Sequence, residues 1–140
     1  MGLLMRGLVA LAVFTAAAST SAECYQWPVD PSISLDGRSV LATPRGFGVA
    51  VPFVIANAHL PNPDSQCRLE ELRSVAARAV IVKVLSKARV VVFCHMAETA
   101  MGYLARIDVD GADLGAILAA LGLAYDGDRL PLGYWCRRHS

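Results

Sequence analysis

The chain lacks a surplus of charge. Its 140 residues carry 13 basic and 12 acidic side chains. A protein that grips nucleic acid usually has a basic excess, because neutralising phosphates supplies most of its affinity. Only a local basic patch is compatible with this balance. Also missing are the short C-x-x-C pair and the histidine spacing that zinc sites favour. There is no internal repeat and no low-complexity tract. The three histidines, His59, His95 and His139, are isolated. No Ser-His-Asp or Cys-His arrangement can be read from the sequence.

The first 22 residues read as a signal peptide. Arg6 supplies the positive start, Leu8 to Phe14 the apolar stretch, and Thr20-Ser21-Ala22 the small residues before a cleavage point. The apolar stretch is too short for a comfortable membrane span. Glu23 before Cys24 makes a poor lipoprotein signal. The expectation is an exported chain with a single domain over residues 23–140. Losing Arg6 lowers the basic count from 13 to 12, equal to the acidic count. The leader also inflates the mean hydropathy of +0.45.

Within 23–140 the order of elements reads as strands, a long helix, two strands, a short helix and a tail. Cys24 to Asp36 holds Pro28 and Pro31, so any strand there is broken and at an edge. Leu35-Asp36-Gly37-Arg38 and Thr43-Pro44-Arg45-Gly46 read as turns, with a strand starting at Ser39. Phe47 to Ala56 reads as a β run with Phe47, Val49, Val51 and Phe53 on one face. Pro52 within it argues for an edge or a bulge. Cys67 to Ser86 reads as the long helix, capped by Asp64 or Ser65. Glu70 and Glu71 sit at its amide end, and Leu69, Leu72, Ala76, Ala79 and Val80 form its apolar stripe. Ala88 to Cys94 fits a buried strand, and Glu98 to Gly102 the turn after it.

Four cysteines, Cys24, Cys67, Cys94 and Cys136, all follow the leader. An even count in a small exported domain points to two disulfides. Three connectivities are possible. The favoured one pairs Cys67 with Cys136, pinning the tail to the start of the long helix. It pairs Cys24 with Cys94, tying the N-terminus to a strand.

The most patterned stretch runs from Met101 to Cys136. Ala105, Ile107 and Val109 alternate with Leu104, Arg106 and Asp108, the period of a half-buried strand. Asp110-Gly111 makes a turn, Asp113 stands at an N-cap, and Ile117, Leu118 and Leu121 form a short helical stripe. Gly122 falls at the helix stop. Tyr134, Trp135 and Cys136 close the tail. This stretch resembles the staphylococcal-nuclease-like (thermonuclease) family, whose members show a YGR-x-LA run, then V-DG-x-D-x-G, then GLA, and in secreted bacterial forms a closing WC. The matching residues are Leu104-Ala105, Val109-Asp110-Gly111, Asp113, Gly115, Leu118, Gly122-Leu123-Ala124, Tyr125, Gly127, Arg129 and Trp135-Cys136.

The resemblance implies a mainly β fold with helices (α+β). It would be a five-stranded oligonucleotide-binding (OB) type barrel with a long helix between strands 3 and 4 and a short C-terminal helix. The residues before Val29 are too few for the family's long first strand, so the barrel is expected to be open on that side.

The resemblance also implies calcium-aided phosphodiester hydrolysis. Two aspartates hold the ion, a glutamate activates water and two arginines steady the phosphate. In this sequence Asp30 matches the first aspartate of V-D-G-D-T, but Ser32 stands at the metal ligand. Asn57 stands at the second metal aspartate, His59 at a proline and Leu60 at the glutamate. Pro52 stands at the first arginine and Gly102 at the second.

No catalytic, cofactor or metal residue is therefore assigned. The expectation is an exported, periplasmic or secreted, monomeric module that has lost phosphodiesterase activity and has an unknown partner. Two alternatives are kept. One is an active calcium-dependent nuclease with a relocated site built from Asp30, Arg45, Arg106 and Asp108. The other is a cell-envelope module that binds protein or glycan, which the near-zero charge favours over nucleic acid. Asp108, Asp110 and Asp113 are read as solvated, turn and cap residues, and Asp126-Gly127-Asp128 is too short for a calcium loop.

Overall fold

The computed structural model describes residues 23–33, 37–100 and 102–137, the side chains of 31–33 excepted. The expected leader, the Leu35-Asp36 part of the first turn, Met101 and the Arg138-His139 tail lie outside these residues. The described chain is mixed α+β. It runs β1 (Cys24–Gln26), β2 (Val29–Ile33), β3 (Ser39–Ala42), β4 (Val51–Ile55), α1 (Arg68–Lys87), β5 (Val91–Thr99), β6 (Gly102–Val109), β7 (Ala112–Asp113), α2 (Leu114–Ala120) and a 3₁₀ turn, Tyr134–Cys136.

The strands join in one sheet of order β1-β5-β6-β4-β3-β2, with β7 paired to β6. All neighbours are antiparallel except β4 and β6. This is a larger sheet than the expected five-stranded barrel and it is not closed, because the ladder leaves β1 and β2 at its two ends. Yet only Trp27 and Pro28 separate these two strands in the chain. Gln26 and Val29 are three steps apart, so at most about 11 Å of chain spans the ends. The sheet therefore curls back on itself. The expectation that this segment holds a broken edge strand is met at both edges.

Pro52 lies in a strand with neighbours on both sides, yet at its own position that strand is an edge. Its partner in β3 is Leu41, but pairing with β6 starts only at Phe53. At Pro52 the strand has one neighbour, so the missing N–H takes nothing from the β6 ladder. The β run also starts later than expected, at Val51 and not at Phe47. Gly46 and Gly48 hold φ of +91° and +67°, which breaks the extended path. Phe47 then sits in a turn, its N–H donating to the Pro44 carbonyl at 3.1 Å, and its side chain is 56% exposed.

Helix α1 begins one residue later than expected, and its cap is neither Asp64 nor Ser65. Cys67 is the N-cap, its sulfur accepting from the Glu70 N–H at 3.4 Å. Ser65 contributes one step out, its hydroxyl oxygen accepting from the Cys67 N–H at 3.1 Å. Glu70 reaches back to accept from the Ser65 hydroxyl at 2.6 Å and the Asn62 N–H at 2.8 Å. The fully buried residues are Ser74, Ala77 and Ile81, and of the predicted stripe Val80 packs on the core and Leu69 is half-buried. Leu72 is 51% exposed, and Ala76 and Ala79 are exposed as well. Apolar residues occur on every side of this helix, so periodicity alone could not choose among its faces.

Strand β5 extends five residues past Cys94 before turning at Ala100. His95 sits at a bulge in mid-strand with φ +53°. After β6, Asp110 and Gly111 turn the chain at φ +50° and +83°. Asp110 does more than turn. Its Oδ1 accepts from the Arg89 and Val90 N–H groups at 2.9 Å each, tying the α1–β5 loop to the hairpin. Asp113 caps α2 as expected, accepting from the Gly115 N–H at 2.9 Å. Gly122 at φ +70° ends it, with Leu123 N–H to the Leu118 carbonyl at 2.8 Å and Gly122 N–H to that of Ala119 at 3.0 Å. Leu121 lies on the exposed side, so the buried stripe is Leu114, Gly115 and Leu118.

The core is Val40, Phe53, Ile55, Ile81, Phe93, Ile107, Leu114 and Leu118. Both disulfides have the favoured pairing, Cys24 with Cys94 and Cys67 with Cys136. The first joins directly opposed residues of β1 and β5.

Candidate functional site

The family resemblance places the metal ligand and base just after β4. There Ala56 N–H donates to the Ala105 carbonyl at 2.8 Å, and Asn57 turns the chain at φ +59° with its side chain exposed. His59 is half-buried. Its backbone forms a two-way bridge with Tyr125, at 2.8 and 3.0 Å. Helix α2 lies close to this turn because Gly115 has no side chain. A Cβ on Gly115 would come within 3.3 Å of the Ala56 carbonyl oxygen and 3.4 Å of the Ala58 Cβ. The D-x-G part of the pattern thus packs the helix start against the candidate site.

A cleft of about 320 Å³ opens beside this turn, lined by Arg38, Val54, Ala58, His59, Leu60 and Leu130. No carboxylate is among them. Leu60 packs against the core and cannot take a proton. Gly102, at the position of the second arginine, heads β6 at φ +115°, a conformation in which any side chain is strained. The backbone there favours the glycine and disfavours an arginine.

Of the four residues of the relocated site, Arg106 and Asp108 pair with each other, and no cleft described for the molecule gathers all four. Arg106 Nε lies 3.0 Å from Asp108 Oδ1 and 3.9 Å from Asp113 Oδ2. The hydrogen bond to Asp108 and that residue's charge raise the Arg106 pKa above its ordinary value, with a further contribution from Asp113. Asp108 is therefore paired and not simply solvated. Asp30 is on β2, which β3 and β4 separate from β6, a span of about 14 Å at ordinary strand spacing if the sheet were flat. Arg45 lines clefts that include none of Asp30, Arg106 and Asp108.

One further cluster has metal-ligand atoms in reach of one another, namely Cys67, Glu70 and Cys136. Its two sulfurs are bonded to each other, so neither is a thiolate free to ligate. Asp126 and Asp128 are both exposed.

The sequence reading missed a second cavity, at the mouth of the curled sheet. A groove of about 250 Å³ is lined mostly by apolar side chains, among them Tyr25, Trp27, Phe47, Met96 and Tyr103, with Arg45 at its edge. Tyr25 and Trp27 stack at 5.1 Å and 11°, and Trp27 leans on Phe53 and Phe93. The spacing of Tyr25 and Trp27, two residues apart and so on one face of an extended segment, was the available signal. An adjoining cleft of about 640 Å³ is lined by Gln26 to Val29, by Arg45 and Arg89, and by Leu85, Ala88 and Val91. No family model matches this chain, and no curated protein matches it.

Proposed function

We propose that this protein is an exported, disulfide-stapled domain of nuclease-like OB type that has lost phosphodiesterase chemistry and acts as a binding or structural module. The observation that carries the reading is the cleft beside Leu60, which has no carboxylate among its lining residues. Calcium affinity is set by hard oxygen ligands and their charge, and water activation needs a base within reach. That cleft offers no carboxylate for the ion or for the glutamate's role, and His59 is the one residue of its lining that can take a proton.

The OB-type part of the reading is supported by connectivity. If β1 and β2 are two halves of one broken first strand, the path β2-β3-β4-β6-β5-β1 returns to its own beginning. In chain order, with β1 and β2 counted as one strand, helix α1 falls between the third and fourth strands, β4 and β5. Export is supported by two disulfides with no free cysteine among the described residues. No helix among those residues is long and apolar enough to cross a membrane.

Calorimetric titration of the oxidised protein with calcium chloride tests this reading. The expected result is no saturable heat up to millimolar calcium. A dissociation constant below about 1 mM would count against it. The aromatic groove at the sheet mouth favours binding of a protein or glycan as the present role, over a purely structural one.

A further inference from the structure

The open end of the ladder exposes a strand edge beside the aromatic groove. Among the described residues, strand β1 has β5 as its one ladder neighbour. The Cα atoms of Cys24 and Cys94 are 4.2 Å apart, the spacing of a non-hydrogen-bonded antiparallel pair. Tyr25, the next residue, then makes the ladder bonds to Phe93. Two residues from Cys24, Gln26 presents its N–H and C=O away from β5. The cleft on that side is lined by Cys24 to Trp27 and by Arg45, so the Arg45 turn faces β1 across it. On the inner side, Tyr25 and Trp27 enter the groove with Phe47 and Met96. Exposed Phe47 is held there between two glycines in left-handed conformation. Arg45 and Arg89 are the only charged residues lining this groove and the adjoining cleft.

We infer that this seam takes an extended peptide segment with alternating apolar and acidic side chains. The peptide adds to β1 through the outward N–H and C=O of Gln26. Its apolar side chains enter the groove between Tyr25 and Phe47, and its carboxylates meet Arg45. Each part has a physical reason. An unpaired strand edge is a template for another strand. Alternate side chains of that strand point to one side, where the groove lies. Arginine pairs carboxylates in fork geometry. A single nucleic-acid strand could stack on the same aromatics, but it would leave the Gln26 edge unused and meet a chain with no basic excess. The inference names a partner class for the binding role proposed above and rests on that reading. A nuclease assay addresses the loss of chemistry, whereas the experiment below addresses the seam alone.

The probe is an octapeptide alternating glutamate with phenylalanine and valine, added to the isotopically labelled oxidised protein and followed by amide NMR shifts. Saturable shifts are expected at Tyr25, Gln26, Phe47 and Met96. Affinity should fall at least tenfold in Phe47→Ala and in Arg45→Glu, both changes at exposed positions whose own spectra report that the fold is kept. It should fall similarly when the peptide is N-methylated at alternate residues, which removes strand donors, and when lysine replaces glutamate. Four results would overturn the inference: no saturable shift, shifts elsewhere, equal affinity for the N-methylated peptide, or shifts at these amides from an oligothymidylate and not from the peptide.

Discussion

Arg73 and Trp135, sixty-two positions apart, meet in two ways. An Arg73 guanidinium N–H donates to the Trp135 carbonyl at 2.9 Å, and the guanidinium carbon lies 5.8 Å from the centre of the Trp135 ring. Trp135 is only 3% exposed. The C-terminal tail is therefore a packed part of the domain, held against α1 by this pair and by the neighbouring disulfide. Trp135→Ala removes a buried aromatic, so a loss of about 3–5 kcal/mol is expected by urea unfolding. Arg73→Ala should cost less, about 1–3 kcal/mol, because it leaves the ring in place but strands a carbonyl. If the tail were merely draped on the surface, both changes would fall within about 0.5 kcal/mol of the parent.

The two disulfides close loops with sequence separations of 70 and 69. Non-reducing peptide mapping should recover Cys24 linked to Cys94 and Cys67 linked to Cys136. Replacing Cys67 and Cys136 together with serine should cost about 4 kcal/mol, from the chain-entropy relation for loops of this length. An unchanged unfolding midpoint would mean that the linkage does not form.

The faces of α1 give a third test. Ile81 is 1% exposed and Leu72 is 51% exposed. Ile81→Ala should cost about 2–5 kcal/mol, and Leu72→Ala no more than about 0.5 kcal/mol. The reverse order would restore the stripe that the sequence suggests and would place α1 on a different face.

These outcomes bear on what the sequence makes legible. The stretch from Leu104 to Gly122 reads true almost residue by residue. Its period of two, its turn glycine and its helix cap are local features, and each is visible without its neighbours. Helix α1 reads true in extent but only partly in orientation, because Val80 packs on the core whereas Leu72, Ala76 and Ala79 of the same stripe are exposed. Phe47 reads as a strand residue because its β propensity is high. The φ values of Gly46 and Gly48, which move the strand start to Val51, are decided by the turn. The aromatic groove could not be read from the sequence, since it joins Tyr25 and Trp27 to Phe47, Met96 and Tyr103 only after the sheet has curled.

Tyr25 offers a test by pH at the edge of that groove. Its hydroxyl donates to Glu23 Oε2 at 2.5 Å. That hydrogen bond, with smaller contributions from desolvation and the Glu23 charge, raises the Tyr25 pKa above its ordinary 10.0. A raised folded-state pKa means that the contact is fully present below pH 10 and is lost as pH rises through the folded value. Tyrosinate absorbance, read as the difference between the parent and Tyr25→Phe, should show this residue ionising later than a free phenol. Glu23→Gln should move it back down. A midpoint at or below that of a free phenol in the parent would mean that the contact does not form in solution.

The central claim is the loss of phosphodiester hydrolysis, and the most direct measurement is a nuclease assay on the oxidised protein. Single-stranded DNA and RNA would be incubated with calcium in one arm and with a chelator in the other. The account predicts no cleavage of either substrate in either arm. Cleavage in calcium that the chelator abolishes would contradict it, and Asp30→Ala and Asp108→Ala would then be the variants that locate the site.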